Sequence, residues 1–327
     1  MDSTLAPDRE SLSILNPCPR RLLGPTLLHH LVAKSSLDGG SALEYRAPDG
    51  TRSRLTYQEL HRVSEILAAR IAGKLHRNAE KPAVVPVILP QSPQLYITLL
   101  AILKAGCAFC PLNPDAPRDR IRFVLEDLQA SLVLASPELA PLVSGFGNVE
   151  VLVVDDGVLR ESNSLDRPTR KPQAQDMAYV MYTSGSTGTP KGVGISHGAA
   201  TQALLAHDRH IPVFRRFLQF AAPTFDVSIF EIFFPLFRGA TLISCSRAEM
   251  VSDLPAVLNE MAVDACELTP TVAGSLLKRR ENAPGLRLLL TIGEMLTPPV
   301  VEEFGGRADR PSCLWAMYGP TEATIHW

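Results

Sequence analysis

From about residue 80 onward the chain alternates short β-rich apolar runs with amphipathic stretches, a pattern that leaves few folds open. Strands are expected in AVVPVIL (83–89), SLVLAS (131–136), VEVLVVDD (149–156), MAYVMYT (177–183), RFLQFAA, ATLISCS, LRLLLTI and the approach to Met317. Between them, SPQLYITLLAILKAG, PRDRIRFVLEDLQ and DVSIFEIFFPLFRG carry apolar residues at helical spacing. Strand, crossover helix, strand is the grammar of an α/β protein with mostly parallel sheets. At 327 residues the chain is long for one core, and two subdomains are expected, at about 25–200 and 201–327 after an N-terminal extension, 1–24. The polar, proline-bearing stretch Gly157–Gln175 reads as an exposed loop between two sets of βα units.

Composition excludes several function classes. A formal charge of −2 with scattered Lys and Arg gives no footprint for a polyanion, so no nucleic-acid partner is expected. No apolar run reaches the roughly 20 residues of a membrane span, and the first residues lack a signal-peptide core. A cytoplasmic protein without membrane association is the expectation. Six cysteines in so long a chain make no disulfide framework. Cys107 and Cys110 form a CxxC that reads either as two small buried residues of a strand, which we favour, or as a redox or zinc pair. His29 and His30 have no partners at ligand spacing and read as exposed helix residues; His197 reads as a packing residue rather than a helix cap or a cavity residue.

The densest chemistry follows the strand at 177–183. In Tyr182-Thr183-Ser184-Gly185-Ser186-Thr187-Gly188-Thr189-Pro190-Lys191-Gly192, glycines let the backbone approach an anion, and hydroxyls with free N–H groups supply donors to phosphate oxygens. Lys191 adds a mobile positive charge. The P-loop of NTPases is excluded: counting from Gly185, its second glycine would be Pro190, and Lys191 is followed by Gly192 instead of Ser or Thr.

YTSGSTGTPKG resembles the phosphate loop of the adenylate-forming superfamily, which includes peptide-synthetase adenylation domains, acyl- and aryl-CoA ligases and luciferases. LTYQEL (55–60), LKAGCAFCPLNPDAPRDRI (103–121), FDVSIFEIF (225–233) and YGPTEAT (318–324) resemble further segments of nonribosomal peptide synthetase adenylation domains, in the same order. The resemblance implies activation of an α-amino acid as aminoacyl-AMP by ATP and Mg2+, then transfer to a phosphopantetheine thiol on a carrier domain. It implies that Thr183, Ser184, Gly185, Ser186, Thr187, Gly188 and Lys191 embrace the β- and γ-phosphates, that Tyr318 and Gly319 lie near the adenine, that Thr321 approaches the α-phosphate, and that Glu322 holds Mg2+. Lys191, Thr183, Thr321 and Glu322 form the expected catalytic set. Ala316 departs from the family, which often has an adenine-contacting Asn there.

Asp226 separates branches of the superfamily. It reads either as the cap of the helix that follows or, by resemblance, as the partner of a substrate α-ammonium, which fatty and aryl acids lack. The resemblance places the side-chain pocket at Val227, Phe230, Glu267, Leu290, Ile292, Met317, Ile325 and His326. Ile292 stands where many relatives have Gly and narrows an apolar pocket. Glu267 needs a donor or a cation, because a buried carboxylate without one costs several kcal/mol. A polar substrate such as an ornithine derivative, as in hydroxamate-siderophore synthetases, would supply it, and so would His326. The chain stops after the Glu322 segment, so the small β-subdomain, the C-terminal lid and the lid lysine of complete adenylation domains are expected to be absent and the activity of this truncated chain impaired. A CoA ligase and a non-catalytic remnant are the competing readings.

Overall fold

A computed structural model describes residues 24, 26–34, 40–75, 82–160, 171–183 and 190–325. Within them the α/β alternation is present as two sheets. Strands β1 (Ser41–Arg46) and β2 (Arg52–Thr56) form an antiparallel pair. Six strands follow: β3 (Val84–Ile88), β4 (Ala108–Pro111), β5 (Leu132–Ala135), β6 (Glu150–Val153), β7 (Met177–Thr183) and β8 (Lys191–Ser196). They make one sheet in the order β6-β5-β3-β4-β7-β8, parallel except for the β7–β8 pair. Then come β9 (Arg216–Leu218), β10 (Thr241–Cys245), β11 (Ala265–Leu268), β12 (Leu288–Thr291) and β13 (Leu314–Ala316). These join β1 and β2 in a sheet ordered β13-β12-β11-β9-β10-β1-β2. A division at residue 200 therefore does not follow the sheets, since β1 and β2 belong to the later one.

Period-two alternation assigns each strand residue to a core. Leu132 and Leu134 of one sheet, with Leu288 and Leu290 of the other, enter a central core shared by both sheets. Val133 faces an outer cluster on the first sheet and Leu289 an outer cluster on the second. Strands covered on both faces read as continuous apolar runs, which is why they were legible in the sequence.

The helices of the central core are bounded by local chemistry. Helix α1 (Leu28–Lys34) is followed by α2 (Tyr57–Lys74), which opens on a capping box between Thr56 and Glu59. Helix α3 (Pro93–Lys104) has Ser92 at its N-cap and proline in its first turn. It stops at Gly106, whose φ of 79° suits a left-handed terminus. On the outer face of the first sheet, α4 (Arg118–Asp127) turns Ile121, Val124 and Leu125 inward. Helices α5 (His197–His207), α6 (Val227–Phe237) and α7 (Arg247–Ser252) complete the elements that matter for the site.

Two sequence expectations need correction. Residues Asp156–Arg160 are helical, so the stretch after Gly157 starts as a helix, and residues 161–170 lie outside the described residues. The favoured reading of the CxxC agrees with the structure: Cys110 lies in β4 and Cys107 just before it, both are buried, and burial lifts both thiols to about 12. Among the described residues no group of three or more His, Cys, Asp or Glu is arranged to hold a metal, and no helix is long and apolar enough to cross a membrane.

The second correction is His29, which is buried, while His30 is exposed. Its ring meets those of His30 and His197 edge-on, with centroids 4.6 and 5.6 Å away. His197 packs as expected, and its Nδ1 accepts the Leu28 backbone N–H at 3.1 Å, tying α1 to α5. Burial lowers His197 to about 4 and His29 to about 2. Both are neutral in the fold, whereas the unfolded chain takes up their protons near pH 6.5, so their contribution to stability is complete above 6.5 and falls with acidification below it. For His197 the loss amounts to roughly 3 kcal/mol by pH 4. Urea midpoints measured between pH 7 and 4 should fall more steeply for the native chain than for His197→Gln. Parallel curves would contradict this.

Candidate active site

Sheet topology puts the phosphate-loop sequence in a setting different from a P-loop. Thr183 and Lys191 are directly opposed at the open end of the antiparallel β7–β8 pair, so the loop joins two strands and does not open a helix. Ser184, Gly185, Ser186, Thr187 and Gly188 lie outside the described residues. Gly192 shapes the ribbon: a Cβ there would stand 3.2 Å from the Tyr182 ring and 3.3 Å from Val180. Its absence lets the Tyr182 ring lie across β8, from where the phenol donates to Asp127 at the end of α4.

A cavity of about 600 Å3 opens beside this ribbon. Its wall contains Thr183 from the end of β7, Thr224, Phe225 and Asp226 ahead of α6, and Thr321. Three expected site residues from separate parts of the chain, Thr183, Asp226 and Thr321, therefore meet at one cavity. Thr321 and Glu322 belong to a 3-10 turn, Thr321–Ala323, packed against β8. Glu322 on that turn and Lys191 at the start of β8 are both exposed. Tyr318 is 77% exposed and Gly319 half-buried just before the turn. Thr324 and Ile325 follow with φ of 70° and 69°, a conformation costly for β-branched residues, and Ile325 is held there by complete burial.

The β4–α4 segment supplies the part of the wall that the sequence reading left without a role: Asn113, Asp115 and Arg120 line the cavity. The signal was present, since these residues fall within the matched segment 103–121. Arg120 is the one cationic side chain among the described residues of the wall.

Asp226 is only 8% exposed. Its backbone is helical (φ −60°, ψ −27°), and its Oδ1 accepts from the adjacent Val227 N–H at 3.0 Å. A helix cap has extended dihedrals and accepts from the second or third residue onward, so the geometry departs from a cap. Asp226 also lies close enough to Tyr179 that its charge adds to burial in raising that phenol.

The other expected pocket residues do not line this cavity. Phe230 is fully buried and stacked on Phe234, with centroids 4.5 Å apart. Leu290 and Ile325 share its core, Met317 packs against that core, and Ile292 is 6% exposed. Val227 is half-buried, and His326 lies outside the described residues. Glu267 is 1% exposed on β11, where alternation with Cys266 and Leu268 turns it toward the central core. There its charge reaches Glu231 of α6, whose carboxyl is pushed well above the usual range by burial first and by Glu267 second. Glu231 was missed in the sequence because it sits inside an apolar helix at core spacing.

The sequence model of the AMP-binding enzyme family matches residues 39–327. Nonribosomal peptide synthetase 2 of Gibberella zeae is 60% identical over 323 residues, covering 98% of this chain and 7% of that protein. Siderophore peptide synthetase fer3 of Mycosarcoma maydis is 36% identical over 354 residues, covering 100% of this chain and 7% of that protein. The chain thus spans about 7% of the length of these curated relatives. The crystal structure of the nonribosomal peptide synthetase FmoA3 superposes with a TM-score of 0.81 at 24% identity, covering 98% of this chain and 34% of that one, and shows the shared fold. With its two-sheet fold and its matched segments, the chain belongs to the AMP-binding enzyme family of adenylate-forming ligases, in the branch represented by nonribosomal peptide synthetases.

Proposed function

We propose that this chain activates the carboxylate of an α-amino acid as aminoacyl-AMP, for transfer to the phosphopantetheine thiol of a carrier domain. The observation that carries the reading is the meeting of Thr183, Asp226 and Thr321 at one cavity, with Lys191 opposite Thr183 across the ribbon. Adenylation asks the protein mainly to position two anions and to offset charge on the phosphates. Thr183 and Lys191, with Ser184, Gly185, Ser186, Thr187 and Gly188 between them, would hold the β- and γ-phosphates. Thr321 would hold the α-phosphate, with Tyr318 and Gly319 beside the adenine. Glu322 fits a Mg2+ ligand, being an exposed carboxylate next to a threonine hydroxyl on a fixed turn, and a bound Mg2+ would neutralise phosphate charge. Asp226 would pair with the substrate ammonium and so orient the carboxylate toward the α-phosphate.

The resemblance that puts Glu267 in the pocket wall, together with the siderophore synthetase among the relatives, favours a substrate whose side chain carries a cation or a hydrogen-bond donor, for instance an ornithine derivative. Glu267, 1% exposed in the central core, meets it only once that wall opens. Val227, Phe230, Leu290, Ile292, Met317, Ile325 and His326 would form the remaining wall; Phe230, Leu290 and Ile325 must shift to open it, since all three are fully buried. Calorimetric titration with ATP tests the nucleotide half of the proposal. Saturable, Mg2+-dependent binding that weakens about tenfold or more in Lys191→Ala is expected. Absence of binding by the native chain would favour a non-catalytic role.

A further inference from the structure

The loop that ends in Asp226 is clamped from within the fold. Glu231, fully buried on α6, accepts three hydrogen bonds at one oxygen: from the backbone N–H of Phe220 (3.0 Å) and Ala221 (2.8 Å) and from Gln219 Nε2 (2.9 Å). All three donors lie between β9 and Asp226. From the opposite side Arg247, the first residue of α7, donates to the Phe220 carbonyl at 2.6 Å and lays its guanidinium 4.3 Å from the Phe220 ring centroid. Gln219 extends the clamp, accepting from Gln91 (2.7 Å) and from the Tyr96 hydroxyl (2.9 Å), which also meets Ser244 at 2.6 Å. The segment is thereby tied to α3, to the loop after β3 and to β10.

We propose that Glu231 is a positioning residue for amine recognition, holding the 219–226 segment so that the Asp226 carboxylate faces the cavity at a fixed place. The proposal rests on the reading of Asp226 as the partner of the substrate ammonium. Core packing alone does not call for a carboxyl at this position, since the rest of VSIFEIFFPLF is apolar apart from Ser228. A carboxyl adds the capacity to accept several converging donors, two of them backbone amides that would otherwise be buried without a partner. Burial pushes the Glu231 carboxyl well above its usual range, and glutamine is the closest replacement, because its carbonyl oxygen accepts the same donors.

The test compares Glu231→Ala, Glu231→Gln, Asp226→Ala and the Asp226→Ala/Glu231→Ala pair with the native sequence, all in a form carrying the C-terminal segments that complete adenylating enzymes have, by amide hydrogen exchange and by ATP–pyrophosphate exchange. The substrate probe is whichever of the twenty standard amino acids and L-ornithine supports the fastest exchange, alongside its des-amino analogue. Glu231→Ala should lose protection across 219–226 and raise KM for the amino acid about tenfold or more, with kcat and the des-amino acid within about twofold. Glu231→Gln should stay within about threefold of the native chain, and adding Glu231→Ala to Asp226→Ala should change KM less than about twofold, because one residue acts through the other. Should the alanine variant fail to fold, Glu231→Met keeps the volume and removes the strong acceptor. Unchanged protection at 219–226, equal KM losses for both acids or additive losses in the pair would each overturn the proposal. A native chain with no amino-acid-dependent exchange would instead overturn the activation reading, and the protection of 219–226 would then decide the clamp by itself.

Discussion

Replacing Asp226 with alanine should cost roughly 3 to 5 kcal/mol of binding for the α-amino acid substrate, because a buried ammonium loses its charged partner. The des-amino analogue of that acid should bind nearly as before. The burial and backbone geometry of Asp226 motivate this expectation over the helix-cap alternative. Asp226 is nearly buried, lines the cavity with Thr183 and Thr321, and has helical dihedrals with a hydrogen bond to its immediate neighbour. If it served only as a cap, Asp226→Ala would lower stability by about 1 kcal/mol and affect both acids alike. Binding of the acid pair together with a melting curve separates the two. Equal losses for both acids would favour a CoA-ligase-like site.

The second large effect is expected at Lys191 and Glu322. Each, changed to alanine, should slow adenylation by roughly 10²- to 10³-fold, the 2.7 to 4 kcal/mol seen when one preorganised charge-stabilising contact is lost elsewhere. Both side chains are exposed, so the fold should survive and the melting temperature should move little. The rate is to be measured in a form of the chain carrying the C-terminal segments that complete adenylating enzymes have, because lid closure supplies part of the stabilisation. Unchanged rates in both variants would remove these residues from phosphate and Mg2+ handling.

Legibility from sequence followed burial. Strands covered on both faces, such as β3, β5 and β12, are continuous apolar runs and were placed within one or two residues. Strand β2, RSRLT, is largely exposed at a sheet edge, and β8, KGVGIS, is glycine-bearing and half-exposed; neither has an apolar signature, and both were missed. Thr183, Asp226 and Thr321 could be named from motifs, but no local pattern shows that segments about 40 and 95 residues apart converge on one cavity, which depends on long-range packing. Arg120 falls within the matched segment 103–121, but its helical setting gave it no role until the fold placed it in the cavity wall. Glu231 and Glu267 show the opposite limit: the resemblance could name Glu267 as a carboxylate in an apolar pocket wall, whereas its electrostatic partner lies on a helix reachable only through the fold.

Acid-dependent exchange of pyrophosphate into ATP bears most directly on the proposed activity. The native chain, extended as above, should support exchange with an α-amino acid, fastest for one whose side chain offers a cation or donor to Glu267, and exchange should fall to background with the matching des-amino acid. Fatty or aryl acids outperforming every amino acid would contradict amino-acid activation.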